Sequence, residues 1–241
     1  MHRFANPTNF MRVANAIFPW AAGLAVILFA LGLPVALYFS PPDYQQGETV
    51  RLFYIHVPSA WISLMAYSVI AAGSATFLIW RHPMANVTAR AAAPIGALFT
   101  AVALITGMLW GQPMWGTFWV WDARLTSELI LLFLYLGFMF LHAAIDDPRR
   151  ADRAAAVIAI VGAINVPIIY FSVKWWNTLH QGASVSLTKS PTMASTMLWG
   201  MLIMSIAFWL YAIAAVLTRV RSVILERERN AEWVKQLETG A

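Results

Sequence analysis

The sequence predicts an all-α integral membrane protein with six transmembrane helices, and three observations carry that prediction. Of the 241 residues, 60% are hydrophobic and only 11% are charged, whereas a water-soluble chain carries about 25% charged residues. Apolar runs of about 20 residues recur six times, and each is long enough to cross the roughly 30 Å of hydrocarbon in a bilayer. The runs show no strand-like alternation, and lipid-exposed backbone cannot stay unpaired, so the spans are helices.

The first span runs from Trp20 to Phe39. It is longer than the apolar stretch of a secretion signal, and no small-residue cleavage pattern follows it, so it reads as a spanning helix. The others run from Val57 to Trp80, Ala91 to Trp110, Thr126 to Ile145, Ala154 to Val173 and Ser195 to Leu217. Pro94 and the Asn165-Val-Pro167 step are places where a span can kink and free backbone carbonyls. Residues 1–241 read as a single six-helix membrane domain without internal repeats. After the last span, residues 218–241 alternate charges with Val223, Leu225, Trp233, Val234 and Leu237, which suits either a surface helix or a solvated cytoplasmic tail.

Orientation follows from Lys and Arg, which concentrate in cytoplasmic loops. With the N-terminus inside, the inner segments hold Arg3, Arg12, Arg81, Arg90, Arg149, Arg150, Arg153, Arg219, Arg221, Arg227, Arg229 and Lys235, against Arg51, Arg124, Lys174 and Lys189 outside. That distribution places both termini in the cytoplasm. It also accounts for the net charge of +5, so no nucleic-acid partner is inferred. Cysteine is absent, which removes disulfides, thiolate metal sites and covalent haem attachment through C-x-x-C-H. No phosphate-binding G-x-x-x-x-G-K-[ST] loop occurs, so the chain is not expected to hydrolyse ATP by that route.

The inner loops are short connectors, and the outer ones carry the candidate chemistry. Loop Ser40 to Ile55 contains Pro41, Pro42 and Asp43-Tyr-Gln-Gln-Gly47. The loop around residues 110–125 places Trp110, Trp115, Trp119 and Trp121 within twelve residues. An interfacial belt spreads its indoles over many helix ends, whereas this cluster is local. It includes Gly111 and Gly116, which let backbone approach another group closely. On helical spacing Trp115 and Trp119 share a face beside Phe118, forming a flat aromatic shelf. Such a shelf suits a large planar apolar ligand: a porphyrin, a sterol, a quinone or a partner's apolar helix.

Of five histidines, His2, His82 and His142 fall on the cytoplasmic side. His56 opens the second span on the outside, and His180 lies in the third outer loop after Trp175 and Trp176. Two imidazoles from different loops can approach opposite faces of one porphyrin and ligate its iron. Arg51 and Arg124 are the outer arginines nearest these motifs and suit the propionates; Arg124 equally suits an ion pair with Glu128, four residues on. Asp122 suits a helix cap, a partner for an imidazole or a partner for Arg124.

These residues resemble a known family. Trp110-Gly-Gln-Pro-Met-Trp-Gly-Thr-Phe-Trp-Val-Trp-Asp122 is similar to the WWD signature of membrane proteins that handle haem during cytochrome c biogenesis. The length, six spans and flanking outer histidines resemble the C subunits of the system I maturation complex, the CcmC family. Pro42 to Gly47, Tyr54-Ile-His-Val-Pro58, Ala93 to Gly96, Asp122 to Glu128, Pro167 to Tyr170 and Trp175-Trp-Asn-Thr-Leu-His-Gln-Gly182 extend the likeness over nearly the whole chain. The resemblance implies a multi-pass protein of the bacterial inner membrane with its functional, WWD-bearing face in the periplasm. It implies non-covalent b-type haem with axial histidines at His56 and His180. The WWD loop, with Trp110, Gly111, Trp115, Gly116, Trp119, Trp121 and Asp122, would be the platform, and Arg51, Arg124, Trp175 and Trp176 would complete the site.

The implied partners are a haem chaperone, the E protein, together with an ATPase A subunit, a membrane B subunit, a small D subunit and the lipid itself. The expected role is haem binding and delivery without catalysis by this chain. The alternatives are a transmembrane haem transporter, whose path would need polar groups deep in the spans, where Asn165 is the plainest; a zinc enzyme built on His56, His180 and Asp122; and a passive scaffold.

Overall fold

The computed structural model describes residues 6–182, 184–185 and 190–239, with the side chains of 237–239 left out; Arg3, His2 and Lys189 from the topology argument lie outside the described residues. Six helical segments are long and apolar enough to cross a membrane: Pro7–Phe39, Glu48–Trp80, Pro83–Trp115, Ala123–Ala144, Pro148–Trp175 and Ser195–Arg227. No β-strand occurs among the described residues; one isolated bridge joins Asp43 and Gly47. The all-α six-span architecture is therefore the one the hydropathy predicts.

The helices outrun the apolar runs at both ends, because interfacial polar residues continue the hydrogen-bonded ladder. Helix α1 (Pro7–Pro34) begins at Asn6, whose side chain caps Thr8 N at 3.0 Å, and passes into a π-turn over Val35–Phe39. A 3-10 turn, Glu48–Leu52, leads into α2 (Phe53–Trp80), and α3 spans Pro83–Trp115 straight through Pro94. Helix α4 is Ala123–Ala144. The fifth span is two helices, α5 (Pro148–Gly162) and α6 (Asn165–Trp175). The break falls at Ala163 and Ile164, whose N–H groups turn back to Ile160 and Val161. Pro167, close behind, has no N–H with which to carry the ladder across.

Helix α7 (Ser195–Arg227) continues ten residues past the apolar run ending at Leu217. Its Val220, Val223 and Ile224 are buried with Met84, Val87 and Ala91, and Phe10, Met11 and Trp233 pack around them. Helix α8 (Glu232–Thr239) follows. Most of the segment predicted as a tail is thus helix, and its first turns belong to the packed interior. The same cluster brings the two chain ends to one end of the bundle.

Helices α2 and α3 lie at the centre, with α4, α5 and α7 against them and α1 along α7. Small residues permit the close approach that drives helix association in lipid: Gly73 of α2 faces Ala85 and Ala89 of α3, and Gly32 of α1 faces Ile203 and Met204. Tyr67 and Tyr135 pack edge to face at 5.1 Å, each filling a glycine gap, Tyr67 at Gly162 and Tyr135 at Gly96. Ile70, Leu131, Phe138 and Ile169 complete this core. Helix α1 buries only a stripe of Ala14, Ala21, Ala25 and Gly32 and presents its remaining face outward, as a lipid-facing helix does.

Candidate functional site

At the end of the bundle opposite the chain termini, α2, α3 and α4 part around an open recess to which two loops contribute. His56 and Ala60 of α2, Ala103, Gly107, Trp110, Gly111, Met114 and Trp115 of α3, and Arg124, Leu125 and Glu128 of α4 line it, with Gln46 and His180-Gln181 from the loops. Its empty volume, open mouth included, is about 730 Å³.

The two imidazoles meet here, with ring centroids 6.2 Å apart and planes inclined at 36°. His56 Nδ1 lies 3.0 Å from the Ala103 carbonyl and 3.1 Å from Thr106 Oγ1. His180 Nδ1 lies 2.7 Å from the Gln181 carbonyl. A ring nitrogen facing a carbonyl carries the proton, which leaves Nε2 of each ring as the lone-pair nitrogen. Gly107 makes room for His56, since a Cβ there would stand 3.0 Å from its Cε1. Trp110 packs edge-on to His56 at 5.6 Å and donates from Nε1 to Gln46 Oε1 at 2.8 Å. Burial and then the Arg124 guanidinium hold the His180 imidazole down at about 4, against an ordinary 6.5, with the Gln181 carbonyl opposing.

The tryptophan segment is not one helical shelf. Helix α3 ends at Trp115, because Gly116 takes the left-handed conformation (φ 74°) and its N–H returns to the Gln112 carbonyl. Trp119 therefore leaves the face that Trp115 occupies, contrary to the helical-spacing expectation. Gly111 serves the ring of Trp115 itself, whose Cε3 would be 2.7 Å from an added Cβ. Trp119 and Trp121 pack edge to face at 5.3 Å, and Trp121 stands 77% exposed beside a second, shallow recess lined by Val120, Asp122 and Asn177 to Leu179. Trp175 stacks on Phe171 at 5.0 Å, and both Trp175 and Trp176 are exposed.

Asp122 caps α4 through Oδ1 to Leu125 N at 2.8 Å, while its Oδ2 and Trp119 Nε1 are buried without a partner among the described residues. Arg51 does not line the recess. It pairs with Glu48 and donates to the carbonyls of Ala36 and Ser40, both at 3.2 Å, tying the 3-10 turn to the end of the first span. Arg124 forms no ion pair with Glu128; its Nη1 donates to the Ile169 carbonyl at 2.7 Å. Of the predicted site residues, the recess therefore unites His56, His180, Trp110, Gly111, Trp115 and Arg124. Gly116, Trp119, Trp121, Asp122, Arg51, Trp175 and Trp176 do not line it.

Gln46, Gln181, Met108, Met114 and Glu128 were not predicted as cavity residues. Glu128 had a signal, a carboxylate inside an apolar span; the methionines had none, being ordinary span residues. Among the described residues no group of three His, Cys, Asp or Glu could hold a metal, and Asp122 borders the other recess, so the zinc arrangement is not formed.

The chain matches the Heme exporter protein C family over residues 1–235. It is 54% identical over 223 residues to Heme exporter protein C of Bradyrhizobium diazoefficiens, covering 92% of this chain and 84% of that one. Heme exporter protein C of Escherichia coli K12 is 44% identical over 238 residues, 98% of this chain and 96% of the other. A putative cytochrome c biosynthesis ccmC-like mitochondrial protein of Marchantia polymorpha is 44% identical over 203 residues, 84% and 86% of the two chains. A chain matched over nearly its full length, with six spans and paired histidines at one end of the bundle, belongs to the Heme exporter protein C family.

Proposed function

We propose that this protein handles haem for cytochrome c biogenesis, holding it non-covalently between His56 and His180 at the periplasmic face of the bacterial inner membrane. The observation that carries the reading is the separation of the two rings. An imidazole nitrogen sits about 2 Å from a first-row metal and the ring centre about 1 Å further back, so imidazoles flanking one iron have centroids roughly 6 Å apart. The observed 6.2 Å fits that arrangement. Both tautomers leave Nε2 as the ligating atom, and the shifted pKa keeps His180 neutral, the form that ligates, at ordinary pH.

The chain's residues do the remaining work. Trp110 fixes His56 from the side and Trp115 supplies an indole wall, while Arg124 offers the cation closest to both rings for a propionate. Exposed Trp121, Trp175 and Trp176 suit a surface that a haem chaperone, the E protein, docks on when it takes the cargo. The A, B and D subunits of the transport complex are the further proposed partners, with lipid around the spans. The 12-to-4 distribution of Lys and Arg supports the periplasmic assignment.

A transmembrane haem transporter is the second reading, and the buried Glu128 favours it more than the sequence suggested. Below Glu128, however, the fully buried Tyr67, Leu131, Tyr135 and Phe138 fill the interior, which supports presentation from one side. The test is the Soret absorbance of purified chain loaded with hemin. Wild type retains it and His56→Ala/His180→Ala loses it together with chaperone loading; retention of both by the double variant overturns the proposal. Haem uptake into sealed vesicles holding this chain alone would favour the transporter.

A further inference from the structure

One ionisable group in the cavity has no part in the haem reading above. Glu128 lies one helical turn inward of Arg124, lines the same cavity as His56 and His180, and is 7% exposed. An ionisable side chain at membrane depth is costly and marks function by default. Ser63 Oγ of α2 lies 2.8 Å from both Glu128 Oε1 and the Ala60 carbonyl, and Tyr135 Oη donates to the Ser63 carbonyl at 2.6 Å. The carboxylate is thus met from the neighbouring helix by Ser63, whose own backbone Tyr135 anchors. No ion pair with Arg124 explains it, because the guanidinium is drawn away to the Ile169 carbonyl.

We propose that Glu128 is the counter-charge for the iron in this cavity and biases bound haem toward the ferric state. The proposal rests on the haem reading above. With two neutral imidazole ligands, the iron centre carries one more positive charge when ferric than when ferrous. A fixed carboxylate in a low-dielectric cavity stabilises the more positive state by the larger amount. The Ser63 hydroxyl, within hydrogen-bond distance, steadies the carboxylate from α2. The neutral, reduced centre gains no such stabilisation, so Glu128 is a specificity-determining residue for oxidation state.

The experiment is a spectroelectrochemical titration of the full chain loaded with hemin, in wild type, Glu128→Gln, Glu128→Asp and Ser63→Ala. In Glu128→Gln the ferrous-to-ferric ratio at a fixed potential rises about tenfold, a midpoint shift of about 59 mV upward for one electron. Glu128→Asp stays near wild type, and Ser63→Ala shifts upward by less. An unchanged or lowered midpoint in Glu128→Gln with its Soret band retained overturns the proposal. If Glu128→Gln does not hold haem, Ser63→Ala decides: an upward shift supports the proposal and none overturns it. A wild-type chain that takes up no haem would overturn the binding reading itself, an outcome distinct from a flat potential.

Discussion

Arg124 at the start of α4 reaches the carbonyl of Ile169 in α6 at 2.7 Å, and one turn further on the Asn165 side-chain amide donates to the Ser127 carbonyl at 2.8 Å. These two bonds stitch the broken fifth span to α4 directly below the loop that carries His180. A hydrogen bond from a charged donor contributes about 1.5–3 kcal/mol. Arg124→Leu should therefore lower thermal stability in detergent by about that amount and broaden the spectrum of bound haem, as His180 loses its support. An Arg124→Leu chain with wild-type melting and spectrum would mean the bond carries no weight.

The packing of Tyr67 against Gly162 predicts a compensating pair. An added methyl at Gly162 meets the Tyr67 hydroxyl first, and overpacking of this kind costs about 1–3 kcal/mol. Gly162→Ala should melt earlier than wild type, and Tyr67→Phe in the same chain should recover most of the loss. Additive losses in the double variant would contradict that contact.

Helix α7 supplies a third prediction at the opposite end of the bundle. Ile224 is 1% exposed among Met84, Val87 and Val220, so Ile224→Ala should cost about 2–5 kcal/mol. A solvated tail would tolerate the change, and calorimetry of the two chains separates the cases.

The pH response of His180 has a definite sign. Burial and Arg124 depress its folded pKa to about 4 from 6.5, so between these values the unfolded chain binds more protons than the folded one. Stability attributable to this residue is complete above pH 6.5, falls as the pH drops through that window and levels off below about 4. His180→Gln should remove that part of the acid sensitivity, measured as melting temperature against pH. An unchanged profile would assign the sensitivity elsewhere.

The indoles should divide by position. Trp115 lines the cavity and Trp121 is 77% exposed outside it. Trp115→Leu is expected to speed haem loss to an external acceptor severalfold, and Trp121→Leu to leave that rate near wild type; equal effects would argue for a belt or scaffold role.

Much of this architecture was legible because hydropathy reports membrane depth directly. Six apolar runs locate six spans, and charge asymmetry puts His56, His180 and the tryptophans on one face. Helix ends were less legible, because Pro83 to Arg90 and Thr218 to Arg227 interrupt the apolar runs with polar or charged residues yet continue a hydrogen-bonded ladder. The Trp115–Trp119 shelf failed for a local reason: helical spacing holds only while the helix lasts, and Gly116 ends it. Arg51 and Arg124 carried the same charge at the same interface, and only packing shows that one braces a turn while the other enters the cavity. Glu128 appeared as a surface partner for Arg124 because sequence gives its spacing along α4 and not the hydroxyl of Ser63 that receives it from α2.

Electron paramagnetic resonance of the ferric, haem-loaded chain tests the central arrangement most directly. Two imidazoles bound to one iron give a low-spin spectrum, and His56→Ala or His180→Ala alone should convert it to high spin. A wild-type spectrum that is high-spin, or a low-spin signal that survives either single substitution, would contradict ligation by this pair.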